Sequence, residues 1–372
     1  MNVYFDNAAT TPLHKDVIFS MNENAINLFG NPSSTHSFGR KTRAAIESAR
    51  KNIAKYLNVS PLEIIFTSCG TESNNMVLKM AVEKFAVQNI IISEIEHKCV
   101  LNTAEDICAN SNVNLIVLEV NEKGHISLET LAKELEKAEG KSLVSIMHAN
   151  NEIGTIADIE KIGVICKKYD ALFHSDTVQT IAHYPFDLKA LNIDYLSGSA
   201  HKFHGPKGIG FLYMKQSAKL KPMIHGGGQE RSYRSGTENV LGILAMEKAL
   251  NIAVENMDVW KNQITELKTY FKVRLQAEIE DIKFNGDQEN NLYTILSVSF
   301  PSKFNTDMFL FSLDLKGIAV SGGSACASGA NTGSHVLNAL KQPLDRTSVR
   351  FSFSHYNTKE EVDYVLEVLK GF

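Results

Sequence analysis

The stretch Ser197-Gly198-Ser199-Ala200-His201-Lys202 and the carboxylate of Asp176 upstream of it are the residues of this chain best suited to chemistry. Ile193-Asp194-Tyr195-Leu196 reads as a buried strand, and His204-Gly205-Pro206-Lys207-Gly208 reads as a loop. The chain therefore leaves a sheet and sets an amine at a strand's carboxyl end, where open α/β sheets keep their ligands. Ala171-Leu172-Phe173-His174-Ser175 reads as another strand, with Asp176 at its exit. A lysine after a strand is ordinarily a solvated loop residue, so the pair acquires meaning only from its surroundings. A lysine and an aspartate at neighbouring strand ends match what pyridoxal phosphate requires. The amine forms a Schiff base with its aldehyde, and the carboxylate pairs with its ring nitrogen so that the ring accepts electrons.

Other candidates fall at similar junctions. Gly70-Thr71-Glu72, at a strand-to-helix junction, offers backbone N–H groups, a hydroxyl and a helix dipole suited to a phosphate, or an ordinary helix cap. His97 follows the strand 89–93 and suits stacking on a flat ring or proton transfer, though a loop histidine is commonly a surface residue. Asn150 and Asn151 offer amides to a carboxylate or a ring hydroxyl, and Gln179 points toward the crevice of Asp176. Ser199 and His201 flank Lys202 closely enough to reach a phosphate. Gly226-Gly227-Gly228-Gln229-Glu230-Arg231 reads as a flexible loop, and Arg234-Ser235-Gly236-Thr237 supplies a cation and a hydroxyl. Neither run is a P-loop or a dinucleotide fingerprint.

Cys326 lies in Ser321-Gly322-Gly323-Ser324-Ala325-Cys326-Ala327-Ser328-Gly329-Ala330, a small, polar, Gly-rich segment. Such a segment predicts a mobile loop with an accessible, nucleophilic thiol. Cys69, Cys99, Cys108 and Cys166 fall in or beside expected helices and strands and read as packing residues. Arg350 alternates with apolar neighbours on a strand and suits bidentate capture of a carboxylate, or a structural ion pair.

The elements that must position these groups alternate regularly. Strands are expected at 63–67, 89–93, 114–119, 142–147, 171–175, 193–198 and 209–214. Helices are expected at 15–28, 38–57, from 70 onward, 97–110, 127–138 and 158–169. The rhythm implies an α/β fold whose mostly parallel seven-stranded sheet is covered by helices on both faces. Residues 238–271 read as a long connecting helix, followed by strand, helix, strand, helix near 294–299, 306–315, 347–353 and 358–370. Residues 12–256 are thus expected to form a large domain. Residues 1–11 and 257–372 are expected to form a smaller α+β domain carrying the cysteine loop at about 321–333.

With 372 residues, 44% of them hydrophobic and 22% charged, the composition is that of an ordinary globular protein. A net charge of −4 gives no electrostatic footprint for nucleic acid or an anionic membrane. No run reaches the roughly 18 apolar residues of a membrane span. The N-terminus lacks the features of a secretion signal, and five scattered cysteines without a C-x-x-C pair favour neither a disulfide framework nor a zinc site. A reduced, cytoplasmic protein without a bound metal is expected.

Taken together, these segments resemble those of cysteine desulfurases, pyridoxal-phosphate enzymes of the aspartate-aminotransferase (type I) fold. The resemblance is carried by Phe5-Asp6-Asn7-Ala8-Ala9-Thr10-Thr11-Pro12, Gly30-Asn31-Pro32, Gly70-Thr71-Glu72-Ser73, Glu96-His97-Lys98, Asn150-Asn151-Glu152-Ile153-Gly154, Asp176-x-x-Gln179, Ser199-x-His201-Lys202, the Gly226–Thr237 region and the cysteine loop. That loop is similar to the branch with S-x-G-S-A-C, which feeds iron–sulfur cluster assembly and tRNA thiolation.

The resemblance implies that Lys202 holds the cofactor, Asp176 pairs its ring nitrogen, and Gln179 and Asn151 contact its ring hydroxyl. It implies that His97 stacks on the ring, that Gly70, Thr71, Ser199 and His201 bind the phosphate, and that Thr237 reaches over from a second subunit of a homodimer. Arg350 and Asn151 would grip the carboxylate of L-cysteine, Cys326 would take its sulfur as a persulfide, and His97 is the candidate base for that thiol. A sulfur-acceptor or scaffold protein would be the partner. Cys69 departs from the family's usual Gly, and Ser352-Phe353-Ser354-His355 departs from its Ser-Leu-Gly-Arg. The alternatives are a selenocysteine lyase, kynurenine lyase or aminotransferase of the same fold, a non-catalytic sulfur-carrier subunit, or a nucleotide-binding α/β protein.

Overall fold

A short strand β1 (Val3–Tyr4) precedes helices α1 (Lys15–Asn27) and α2 (Ser37–Tyr56). Then β2 (Ile64–Thr67), β3 (Val87–Ser93), β4 (Asn114–Leu118), β5 (Lys141–Ser145) and β6 (Leu172–Asp176) alternate with α3 (Gly70–Phe85), α4 (Lys98–Ala109), α5 (Leu128–Lys137) and α6 (Ile159–Lys168). Strands β7 (Tyr195–Ser199) and β8 (Gly210–Met214) complete the set. The computed structural model describes residues 1–304, 308–322, 333–343 and 345–372.

The seven strands β2 to β8 form one mostly parallel sheet, as the sequence pattern predicts, and their order is β2-β8-β7-β6-β5-β3-β4. Four neighbouring pairs are parallel, and β8 alone runs against its neighbours β7 and β2. The reason is length. Only residues 200–209 separate β7 from β8, too few for the crossover that a parallel pair needs.

Both faces are buried, and the pleat divides side chains between two cores. Ile64, Phe66, Ile91, Val144, Phe173, Leu196 and Phe211 enter one core beside Ile46 and Ile53 of α2. Ile65, Ile90, Ile92, Leu143, Leu172, Tyr195 and Leu212 enter the other beside Met76, Val77 and Met80 of α3.

The expected single connecting helix is two helices, α7 (Val240–Glu255) and α8 (Met257–Glu278). Asn256 makes the break: its side-chain amide donates to the carbonyl of Ile252 and competes with the backbone ladder. Beyond α8 come β9 (Lys283–Phe284), β10 (Ile295–Phe300), α9 (Phe309–Leu315), β11 (Ile318–Ala319), β12 (Ser321–Gly322), α10 (His335–Ala339), β13 (Thr347–Ser352) and α11 (Lys359–Lys370). Strands β12, β13, β10 and β9 form an antiparallel sheet over a third core of Phe5, Phe271, Phe300, Phe351 and Phe353. The first residues of the chain join this part, since β1 pairs with β11.

The segment Gly226–Arg231, expected to be a flexible loop, instead buries an ion pair. Glu230 accepts from Arg50 Nη1 and Nη2, both at 2.7 Å, and from the backbone N–H of Phe66 at 2.8 Å. The guanidinium also donates to the carbonyl of Ile64 and lies 4.4 Å from the Phe66 ring centroid. Glu230, Arg231 and Ser232 all have positive φ, a costly backbone for side-chain-bearing residues that this pair helps to hold. Among the described residues, no helix is long and apolar enough to cross a membrane.

Removing one partner leaves the other charge buried. Glu230→Ala is expected to destabilise the protein by about 3 kcal/mol in urea unfolding, and Arg50→Met with Glu230→Leu to recover most of that loss.

Candidate active site

The carboxyl ends of β6 and β7, the start of α3 and the loops after β3 and β5 converge on a cavity of about 250 Å³. Gly70, Thr71, His97, Asn151, Asp176, Gln179, Ser199, His201, Lys202 and Arg350 all line it. Nine of these ten positions meet because the strands of the large sheet carry their exits to one edge, and Arg350 joins them from β13 of the small sheet. Thr237 is elsewhere, in a cleft with Gly208, Glu230, Arg234 and Asn239. Cys326 lies outside the described residues.

Asp176 ends β6 and is 6% exposed. Its Oδ1 accepts the N–H of Val178 at 3.0 Å, and its Oδ2 accepts the amide of Asn74 at 2.6 Å. On the adjacent strand, Ser199 ends β7 and a single 3-10 turn, Ala200–Lys202, aims the lysine back at the cavity. Lys202 Nζ donates to the carbonyls of Ala8 at 2.6 Å and Ala9 at 2.9 Å. Gln179 Nε2 donates to the Ala8 carbonyl as well, so the N-terminal segment closes one wall. Thr11 N–H on the carbonyl of His201 fixes that segment in place.

A phosphate fits the far end. Gly70 and Thr71 begin α3, whose first N–H groups have no intrahelical acceptor. A Cβ on Gly70 would lie 2.5 Å from Val178 Cγ2, so only glycine lets helix and cavity wall approach this closely. Ser199 Oγ is buried and has no partner among the described residues, an acceptor or donor waiting for a ligand. Burial, helped by the charges of Lys202 and Lys207, pushes His201 down to about 4. Cys69, which departs from the family's glycine, sits at φ −175°, an extended conformation open to any residue.

Arg350 lines the opposite side. Its Nη1 donates to the Asn151 carbonyl at 2.8 Å and its Nη2 to Asp6 Oδ1 at 2.7 Å, while Nε is buried and lacks a partner among the described residues. A substrate carboxylate fits this charge. The departure at Ser354-His355 does not disturb it: His355 instead stacks on Trp260 at 3.8 Å.

Two expectations are corrected. Cys69 lines the cavity, and Cys99 lines it while also packing against the core that α3 enters. Burial drives the Cys99 thiol up to about 12, so it stays protonated. Asn150 turns inward, donating to the carbonyl of Ile95 and accepting from the N–H groups of Glu152 and Ile153, which leaves Asn151 alone at the cavity. Asn74 escaped the sequence reading, although its spacing from Gly70 and Thr71 puts it on their helix face. A second cavity of about 250 Å³, lined by Glu96, His125, Asn150 and Lys161 among others, contains neither Lys202 nor Asp176.

A lysine amine, a paired carboxylate and a phosphate cradle on the strand ends of a doubly wound sheet define a pyridoxal-phosphate enzyme. The chain belongs to the aminotransferase class-V family, whose model matches residues 3–365. It is 45% identical to "Cysteine desulfurase IscS" of Dictyoglomus turgidum, over 99% of this chain and 93% of that protein. A solved "NifS-like protein" superposes with a TM-score of 0.92 at 40% identity, covering 100% of this chain and 99% of that one. A structure described as "SspA in complex with cysteine" gives 0.82 at 34% identity, covering 96% of this chain and 100% of that one.

Beside Asn151, Glu152 is partly buried, and desolvation raises it to about 7, although the Ser334 hydroxyl, Arg350 and Lys98 pull it the other way. The folded protein therefore keeps a proton that the unfolded chain releases near pH 4.5, and stability falls as pH rises through that window to about 7. Glu152→Gln should flatten this slope, gaining roughly 1–3 kcal/mol above pH 7 and little below pH ~4. Parallel urea-midpoint curves for variant and parent would rule it out.

Proposed function

We propose that this chain is a cysteine desulfurase: it converts L-cysteine to L-alanine and stores the sulfur on Cys326 as a persulfide. One observation carries this reading furthest. The residues on either side of the cysteine segment are bonded beside the cavity, Ser321 Oγ to Asp6 Oδ1 at 2.8 Å and Ser334 Oγ to Glu152 Oε2 at 2.5 Å. Asp6 holds Arg350, and Glu152 adjoins Asn151, so Ser321 and Ser334, the described residues that flank that segment, are held beside the groups that would receive the substrate.

Bound pyridoxal phosphate supplies an electron sink that makes the substrate's carbon–sulfur bond breakable. The protein supplies the rest. Lys202 Nζ would hold the cofactor and, as a free amine, would take the α-proton. Asp176 keeps the ring nitrogen protonated, Gln179 and Asn151 fix the ring hydroxyl, and His97 covers the ring. Gly70, Thr71, Ser199 and His201 hold the phosphate. Arg350 and Asn151 orient the substrate carboxylate. Cys326 then attacks the substrate sulfur as a thiolate. The carbon–sulfur bond breaks and a sulfur–sulfur bond forms; the carbon is reduced as it gains hydrogen, and the thiol sulfur is oxidised. L-cysteine and a thiol thus become L-alanine and a persulfide.

The reading extends to a cytoplasmic homodimer in which Thr237 completes the phosphate site of the other subunit. It also includes a sulfur-acceptor or scaffold protein that takes the persulfide for iron–sulfur cluster assembly or tRNA thiolation.

Purified protein should be yellow, and Lys202→Ala should lose both turnover and the lysine–cofactor absorbance. Cys326→Ser should still change colour with L-cysteine yet form no protein-bound persulfide. Normal sulfide release by that variant would transfer the role to another thiol, and an undiminished Lys202→Ala would defeat the assignment.

A further inference from the structure

Cys99 occupies an unusual place for a thiol. Its Sγ lies 3.0 Å from His97 Nδ1 and 3.2 Å from Asn74 Nδ2, and Thr71 hydrogen-bonds to it as well. It thus touches the imidazole at the ring face, the hydroxyl at the phosphate end and, through Asn74, the Asp176 carboxylate.

The direction of each bond follows from hydrogen counting. His97 is the N-cap of α4, and its Nδ1 accepts the backbone N–H of Cys99 at 3.1 Å. A nitrogen that accepts a backbone N–H carries no proton, so the neutral ring bears its hydrogen on Nε2. The S–H of Cys99 must then also point at Nδ1. Asn74 has two amide hydrogens and spends one on Asp176 Oδ2, the other on Cys99 Sγ. Asn74 is fully buried and its Oδ1 has no partner among the described residues, which leaves that oxygen for a group within the cavity.

The geometry points to Asn74 and Cys99 as positioning residues that lock His97 as a fixed Nε2–H hydrogen-bond donor and not as a base. Taking a proton would place a hydrogen on Nδ1 against the N–H of Cys99 and its S–H, and both contacts would have to break. Burial opposes the imidazolium and outweighs the opposite pull of Asp176, with a lesser contribution from the Lys202 charge in the same sense as burial. Removal of the α-proton then falls to Lys202, while His97 donates from Nε2 to the sulfur or oxygen it faces. The chemical consequence rests on reading this cavity as the cofactor site, whereas the tautomer does not.

Two measurements separate these levels. In cofactor-free protein labelled with 15N-histidine, His97 is expected to show the neutral Nε2–H tautomer. Cys99→Ala should raise its pKa by roughly half a unit to one unit, and Cys99→Ser should restore it, since a hydroxyl also donates. An Nδ1–H tautomer, or an unmoved pKa in Cys99→Ala, overturns the inference. In the loaded enzyme, His97→Gln keeps an amide N–H near the Nε2 position and has no basic nitrogen. It should retain at least about a tenth of kcat, with His97→Ala down by ~100-fold or more. Equal loss in both variants would restore the base role and sink the inference. No loss in either would instead remove His97 from the site and leave the broader reading of the cavity in error.

Discussion

A carboxylate can be buried only where its oxygens are satisfied, and the arrangement around Asp176 is the constraint from which the rest of this site follows. One oxygen takes a backbone N–H from its own turn and the other takes the Asn74 amide from α3. These bonds offset the cost of taking the charge out of water. They also require α3 to start at the exit of β2 and to lean over β6. The same placement delivers the α3 N-terminus, with Gly70 and Thr71, to the cavity. The buried Asp176 carboxylate and the polar start of α3 at the cavity are therefore two products of one helix position.

The opposite wall depends on chain ends meeting. Segment 8–11 crosses the cavity mouth, offers two carbonyls to Lys202, and is tied to His201 by the N–H of Thr11. Its start is anchored in the other part of the molecule, where Phe5 packs among Phe271, Phe351 and Phe353. Asp6 joins the two, holding Arg350 on β13 and Ser321 beside the cysteine segment. A change in how the small sheet sits would move Arg350 and Lys202 relative to each other.

Much of this was legible in the order of residues. Strands buried on both faces read as continuous apolar runs, and the loops after them carry the polar groups, so Lys202, Asp176, His97 and Asn151 could be placed on one edge before any coordinates. Other features were not legible. The reversal of β8 depends on loop length and not on its composition. The break at Asn256 depends on one side chain competing for a carbonyl. Glu230 looks like part of a flexible glycine loop until Arg50, far away in sequence, is brought beside it. Cys99 reads as helix packing because only its tertiary neighbours, His97 and Asn74 among them, reveal the polar cavity beside it.

The amino-acid sequence alone determined the alternation of elements, the seven strands, the family and the chemistry of the groups at the strand ends, because periodicity and residue type are local properties. Tertiary structure decided which nitrogen of His97 carries the proton, which of the two asparagines faces the cavity, and where each buried charge finds its partner. Those are matters of distance and direction between residues remote in the chain, and no local pattern encodes them.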